Sequence, residues 1–191
     1  DIESHPFVKA AYAAKKWAYV SDYIRAYAIY TEGGIYLDTD VLILDNFDSF
    51  LNDRAFVGYE TPEYPFTAVF GAEKGHPFVK DMLDYYNGRA FEFNVNDQLK
   101  TVNTKSVSDI LIQDYGCRLG NKSQILREGI KVYTEDVLCN PSANSVSIHV
   151  FTGTWMEGEK PLARKINTFL KLRLTTKKRA GLFRKYIMKN K

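Results

Sequence analysis

Residues 33–41 carry two aspartates into an apolar stretch. The run reads GGIYLDTDV, so Asp38 and Asp40 lie one residue apart, and apolar residues continue to Leu44. The β-branched and aromatic residues around them are typical of a strand, in which side chains two residues apart point the same way. Burying an unpaired carboxylate is costly, so the pair needs a partner cation or a metal ion. We therefore expect Asp38 and Asp40 to converge and to hold Mg²⁺ or Mn²⁺.

Two helices are predicted ahead of this strand. The first covers residues 5–19, which are rich in alanine. The second begins with Ser21 as its N-cap, and Gly33 and Gly34 supply the left-handed stop at its end.

The second helix carries a charged pair on a face of its own. Asp22 and Arg25 are three residues apart and share a side with Ile29, away from the tyrosines of the same helix. Such a pair is usually an exposed ion pair worth a few tenths of a kcal/mol, so by itself it indicates little.

Composition limits the class of protein. The chain has 191 residues, 45% of them hydrophobic, which is enough for one domain with a sizeable core. Its two cysteines, Cys117 and Cys139, form no CxxC motif, which argues against a zinc site or a disulfide scaffold. No apolar stretch reaches the roughly 18 residues of a spanning helix, and the N-terminus lacks the pattern of a signal peptide.

Charge is distributed unevenly along the chain. Residues 156–191, the basic C-terminal segment, carry 12 Lys or Arg against 2 Glu, whereas residues 1–155 carry 14 basic and 21 acidic groups. Near its end, Leu182, Phe183, Tyr186 and Ile187 share one predicted helical face, with basic residues around it. Such a helix either lies on an anionic membrane surface or docks on its own domain with a solvated basic face.

The run from Ala11 to Leu44 resembles the sugar-binding region, containing the DXD motif, of family 32 glycosyltransferases. The resemblance combines a D-x-x-R helix, the Gly-Gly stop and Y-L-D-x-D at fixed offsets, and it extends over about residues 5–155. Toward its end, SIHVFTGTW is similar to the family's closing motif of His, a short spacer and Ser-Trp, with Thr in place of Ser. The resemblance implies a GT-A fold, here an α/β mixed sheet flanked by helices, and a retaining, metal-dependent transfer of a sugar.

The resemblance also implies a role for each matching residue. Asp22, Arg25, Tyr36 and Asp38 would contact the donor sugar, its ribose or its phosphate, and Thr154 and Trp155 would cover the donor phosphates. Asp22, Arg25, Asp38 and Asp40 would form the catalytic set. The Mn²⁺ or Mg²⁺ ligands would be Asp40 directly, Asp38 partly through bound water, and His149.

Domain organisation and partners follow as expectations. Residues 1–155 are expected to form a catalytic domain that lacks the family's N-terminal, base-binding segment, followed by a basic helical tail over 156–191. The donor would be a UDP- or GDP-sugar, and the acceptor a saccharide or a lipid-linked molecule in surface or capsular polysaccharide synthesis. The protein would be cytoplasmic, on the inner face of the membrane through residues 180–191. Nucleic acid is not among the predicted partners.

Two other classes remain open from the sequence. In a haloacid-dehalogenase-type phosphohydrolase, Asp38 would be the nucleophile and Asp40 the general acid, with Asp109 and Asp114 as a loose match to a later acidic motif and Lys105 nearby. The third class is a non-catalytic subunit that binds a sugar nucleotide.

Overall fold

The chain folds into seven helices and seven strands among the residues that the computed structural model describes, which are 5–93, 103–154 and 161–188. The helices are α1 (Pro6–Ala13), α2 (Trp17–Glu32), α3 (Pro77–Asp84), α4 (Asn103–Gln113), α5 (Glu135–Leu138), α6 (Leu162–Lys171) and α7 (Lys177–Tyr186). The strands are β1 (Gly34–Leu37), β2 (Val41–Ile43), β3 (Ala55–Gly58), β4 (Val69–Ala72), β5 (Gln124–Ile125), β6 (Ile130–Tyr133) and β7 (Ser147–His149). Short 3₁₀ helices cover Asp48–Asn52 and Arg127–Gly129.

Five of the strands form one mixed sheet in the order β1-β4-β3-β6-β5. The β3–β6 pair is parallel, and the other three pairs are antiparallel. Every residue of β3 and β4 is buried, as expected of central strands covered on both faces. Helices α2, α3 and α4 contribute Ala26, Ile29, Phe78 and Leu111 to the same core. The predicted α/β class, with a mixed sheet flanked by helices, is confirmed.

A second, two-stranded sheet joins the two halves of the chain. Strand β2 pairs antiparallel with β7, and Val41 lies opposite His149. This register places the residue before β2, which is Asp40, beside the end of β7. The second sheet therefore sets the geometry of the aspartates.

The boundary between the first two helices differs from the prediction. Helix α1 ends at Ala13 and α2 begins at Trp17, so Ser21 lies within α2, where its hydroxyl donates to the carbonyl of Ala18 at 2.7 Å. The predicted N-cap is wrong because the alanine-rich sequence has no breaker at the true boundary, where Lys15 adopts a positive φ of 57°.

The apolar run after Gly34 is also not one strand. It divides at Asp38–Asp40, which form a turn between β1 in the large sheet and β2 in the small one. Aspartate fits poorly in a strand, and the turn lets its carboxylates bond outside the backbone ladder. The two carboxylates therefore converge through a turn rather than through strand alternation.

The last helix docks on the small sheet. Ala180 and Phe183 of α7 are buried with Ile148 of β7 and Leu174. Leu182, Tyr186 and Ile187 are between 48% and 65% exposed, so the predicted apolar face of this helix is divided between the core and the surface. Within the described residues no helix has both the length and the apolar character needed to cross a bilayer.

Gly33, which ends α2 as predicted, provides a test of the fold. Its φ is 73°, and a Cβ there would lie 2.8 Å from the backbone nitrogen of Lys74. Gly116 has a similar φ of 78° but open space around the same position. We expect Gly33→Ala to lower the free energy of unfolding by more than about 2 kcal/mol, and Gly116→Ala by about 1 kcal/mol, because only the first adds a backbone clash to the dihedral strain. Urea denaturation measures both; equal losses would contradict the clash.

Candidate active site

Three predicted metal ligands meet at one point. Asp38 and Asp40 come from the turn between β1 and β2, and His149 is the last residue of β7. One ligand atom from each lies within 4.8 Å of the others, and all three side chains are partly buried. The sequence separation of more than 100 residues is closed by the β2–β7 pairing.

Asp40 is held by hydrogen bonds on both of its oxygens. Oδ1 lies 3.3 Å from Nε2 of His149, and Oδ2 accepts from the backbone N–H and the hydroxyl of Thr152 at 2.8 and 2.9 Å. Partial burial raises the pKa of Asp40, but the contacts with His149 and Thr152 outweigh it and hold the pKa well below its usual range. Asp40 is therefore ionised at neutral pH and fixed in orientation, as a metal ligand requires.

The Asp22–Arg25 pair is buried and connects α2 to the same turn. The guanidinium of Arg25 donates to Oδ1 of Asp38 at 3.1 Å through Nη1 and to Asp22 through Nη2. Tyr36 donates its hydroxyl to the same oxygen of Asp38 at 2.9 Å. Arg25 is 8% exposed, so this is not the surface pair that the spacing alone would suggest. The structure thus brings Asp22, Arg25 and Tyr36 against Asp38.

The pKa values of Asp22 and Arg25 depend on burial and on the charge of the partner group. Burial raises the pKa of Asp22 to about 6, and the nearby Arg25 opposes the rise. The two carboxylates raise the pKa of Arg25 against the effect of its burial, so the guanidinium stays charged. A fixed positive charge beside Asp38 can neutralise a phosphate oxygen or bind a sugar hydroxyl.

The ligand atoms of Asp38, Asp40 and His149 are suited to a divalent cation. Two carboxylates and an imidazole form a mixed set of oxygen and nitrogen ligands, and such a set suits Mn²⁺ better than Mg²⁺, which prefers oxygen alone. Both described partners of Asp38 bond to Oδ1, and no hydrogen bond from a described residue reaches its Oδ2. That oxygen can face a bound ion or its water ligands.

Three contributors to the site were missed by sequence reasoning. Thr152 clamps Asp40, the Oε2 of Glu60 lies 3.8 Å from Nδ1 of His149, and the ammonium of Lys171 donates to the carbonyl of His149 at 2.9 Å. Burial raises the pKa of Glu60. Its position just after the buried strand β3 was a usable signal, because ligands bind where such strands end. Lys171 gave no signal, since it is one of many basic residues in its segment.

The stretch after β7 follows an unusual backbone path. Phe151 has a φ of 62°, although it is not glycine, and its ring stacks on His149 with centroids 3.8 Å apart. This turn is what points Thr152 back at Asp40. Thr154, a predicted donor contact, is exposed at the end of the turn. Trp155 lies outside the described residues.

The residues that a dehalogenase-type site needs do not gather here. Asp109 pairs with Lys105 at 2.5 Å on the surface of α4, and both side chains are more than 40% exposed. In the described part of the chain, the residue that lies with Asp38 and Asp40 in the candidate metal cluster is His149, and Asp109 is not part of that cluster.

Comparison with known proteins agrees with the resemblance. Residues 1–57 match the family described as "Glycosyltransferase sugar-binding region containing DXD motif", which confirms the resemblance of the N-terminal part. The chain is 35% identical over 82 residues to inositol phosphoceramide mannosyltransferase 3 of Schizosaccharomyces pombe, covering 43% of this chain and 22% of that protein. It is 30% identical over 90 residues to the uncharacterized protein At4g19900 of Arabidopsis thaliana, covering 45% of this chain and 14% of that protein.

The chain matches only a small part of each relative, so the relatives' full activities cannot be assigned to it. The chain spans about a fifth of the length of the first relative and less of the second. No solved structure gives a significant match. The comparisons thus show that residues 1–57 are similar to a DXD-containing sugar-binding region of glycosyltransferases.

Metal binding can be tested without a substrate. We expect Asp38→Asn, Asp40→Asn and His149→Ala each to weaken Mn²⁺ binding by at least about tenfold, because each removes one ligand of the cluster. Asp109→Asn is the matched control, since it removes a carboxylate that contacts none of the three. Titration with Mn²⁺, followed by electron paramagnetic resonance of the free ion, measures the affinity. Equal binding by Asp40→Asn and the control would show that the cluster holds no metal.

Proposed function

We propose that the chain belongs to a metal-dependent glycosyltransferase that moves a hexose from a nucleotide-sugar donor to an acceptor. The observation that carries the proposal is the convergence of Asp38, Asp40 and His149 on one point, with the buried Arg25 against Asp38. The match of residues 1–57 to a DXD sugar-binding region supports the same reading.

The arrangement fits the charge that develops in this reaction. Breaking the bond between a sugar and a nucleoside diphosphate leaves negative charge on the phosphates, and a divalent cation supplies a countercharge for it. In the proposed site Asp40 anchors Mn²⁺ or Mg²⁺ with His149, and Asp38 holds metal-bound water or hydroxyls of the donor. Arg25 would neutralise a phosphate oxygen, and Asp22 would accept a hydrogen bond from the sugar.

Residues that follow β7 are proposed to cover the bound sugar donor. Thr154 and Trp155 are proposed to cover the donor phosphates, and an indole there would exclude water from a reactive glycosyl centre that would otherwise hydrolyse. Tyr36 orients Asp38 through its hydroxyl. Retention of the anomeric configuration rests on the family resemblance alone, as does assignment to the GT-A fold.

Substrates are proposed from the relatives. The name of the yeast relative gives it mannosyl transfer to inositol phosphoceramide. By analogy we propose a UDP- or GDP-hexose as donor, with GDP-mannose tested first, and a saccharide or lipid-linked acceptor. A role in surface or capsular polysaccharide synthesis at the inner face of a membrane remains the proposed setting. The basic segment that includes residues 180–191 would supply the attraction to anionic lipid.

Donor hydrolysis separates the enzyme from a binding subunit. Full-length protein is screened with UDP- and GDP-hexoses and Mn²⁺ for release of nucleoside diphosphate. We expect turnover that falls by more than about a hundredfold in Asp40→Asn, the scale of losing a group that stabilises developing charge, and that is unchanged in Asp109→Asn. If Asp40→Asn kept half of the activity, its role as metal anchor would be wrong. Release of phosphate from p-nitrophenyl phosphate that Asp109→Asn abolishes would instead favour the dehalogenase-type reaction.

The Asp22–Arg25 pair gives a further test. We expect Asp22→Ala and Arg25→Lys each to lower the hydrolysis rate by more than about tenfold, which corresponds to at least ~1.4 kcal/mol of transition-state stabilisation. Arg25→Lys keeps the positive charge but loses the planar group that reaches both carboxylates. Lys105→Ala, in an exposed pair of the same kind, is the control and should leave the rate unchanged. Melting temperatures are measured in parallel, so that loss of rate in a folded variant is distinguished from unfolding.

A further inference from the structure

Helix α6 carries most of its large apolar side chains on the outside, whereas Leu170 packs inward against Ile148 and Leu174. Leu162, Ile166, Phe169 and Leu172, which closes the last turn, follow the i, i+4, i+7, i+10 spacing of one helical stripe. Their exposed fractions are 71%, 51%, 55% and 51%. We call these four residues the outer stripe. A soluble helix normally turns such a stripe toward its own core.

The opposite side of α6 is polar and faces the protein. Lys171 is 3% exposed, and its ammonium donates to the carbonyl of His149 and lies 4.5 Å from the ring centre of Phe151. Arg164 donates through Nε to the carbonyl of Phe151 at 3.4 Å. Polar contacts thus fix the orientation of the helix, and rotating it to bury the outer stripe would break them. The exposure of the stripe follows from how α6 is anchored.

Leaving the stripe in water is unfavourable. Burial of such side chains is favourable, so a partner that covered the four would be stabilised by the contact. Contiguous exposed apolar surface of this kind marks an interaction site.

Charge around the stripe identifies the partner. Lys165 lies on the same side of α6 as the stripe, and the guanidinium of Arg173, in the turn after the helix, lies 3.6 Å from the ring centre of Phe169. Residues 161–191 contain 11 Lys or Arg and no Asp or Glu. A second copy of the chain, paired across a two-fold axis, would bring this basic surface against itself. An anionic lipid surface offers both an apolar layer and the opposite charge.

We propose that α6 lies in the plane of an anionic membrane surface, with the outer stripe inserted at the boundary between headgroups and acyl chains. Ten residues give a helix about 15 Å long, which suits a helix lying on a membrane rather than crossing it. Lys165 and Arg173 reach the headgroups from the edge of the stripe and are attracted to anionic lipid. Helix α7 adds basic charge, but its Phe183 faces the core.

The proposed orientation has a consequence for the active site. The inner side of α6 contacts the stretch that carries His149, and Phe169 and Leu172 of the outer stripe line one cavity with Thr152, so this stretch lies close to the proposed lipid surface. A lipid-linked acceptor would then be presented close to the donor. This consequence rests on the proposed sugar transfer, and the lipid binding deepens the membrane setting proposed with it, but vesicle binding can be measured without any sugar donor.

Vesicle cosedimentation tests the proposal with the chain described here. The probe is a vesicle of phosphatidylcholine with about 30% phosphatidylserine, compared with pure phosphatidylcholine, at low and high salt. We expect the double variant Ile166→Ser/Phe169→Ser to lower partitioning by at least tenfold. The matched control is Leu182→Ser/Tyr186→Ser on α7, whose side chains are 48% and 65% exposed, and we expect less than a twofold effect. Lys165→Glu/Arg173→Glu should reduce the preference for phosphatidylserine, because it reverses the two charges beside the outer stripe. High salt should also weaken binding, because it screens exposed charges.

Other outcomes would overturn the proposal. These are equal binding to neutral and anionic vesicles, loss of binding only in the α7 variant, and no binding by the unmodified chain. A change from dimer to monomer in the α6 variant, measured by light scattering, would assign the stripe to a second copy instead. Melting temperature and Mn²⁺ affinity should be unchanged in both serine double variants, since all four side chains are exposed. Because neither measurement uses a sugar donor, failure of the membrane proposal is distinguishable from failure of the proposed function.

Discussion

The buried charge of Arg25 is the interaction on which the site depends. Its guanidinium lies between Asp22 on its own helix and Asp38 in the turn after β1, and it is 8% exposed. Removing one partner from a buried ion pair costs about 3–5 kcal/mol because a charge is left without compensation. The three groups are therefore held together, and α2 cannot move relative to the DXD turn without breaking them. What the spacing alone describes as a minor surface pair is, once buried, the link between a helix and the aspartates.

The second constraint comes from the far end of the chain. Asp40 is oriented by Thr152 and His149, whose backbone is in turn held by Lys171 of α6. The positive φ of Phe151 shows that this path is not the relaxed one, and surrounding contacts must maintain it. The site is thus formed by two parts of the chain. One is α2 with the DXD turn, and the other is the stretch from His149 to Thr152, which packs against that turn. Residues of the basic C-terminal segment contact this second part directly.

Sequence reasoning found what is local and missed what depends on packing. The Gly33 stop and the convergence of Asp38 and Asp40 were predicted from the residues and their spacing, whereas the α/β mixed sheet and the approach of His149 were implied by the family resemblance. The boundary between α1 and α2 was not predicted, because residues 13–17 contain neither glycine nor proline and the break is set by how α1 packs back on α2. Glu60 and Lys171 were missed for a similar reason: burial and a partner far away in sequence, rather than residue type, give them their place at the site.

The contacts of the C-terminal helices show how little of the charge in the basic C-terminal segment is used within the fold. Of the ion pairs that join this segment to the acidic body, Lys177 with Asp45 is exposed and so contributes little, and Arg184 with Glu135 is only partly buried. Docking depends instead on Ile148, Leu174, Ala180 and Phe183, which form a small core of their own. Most of the basic residues are consequently not needed to hold the segment in place. The proposed contact with an anionic membrane would use this charge together with the outward stripe of α6.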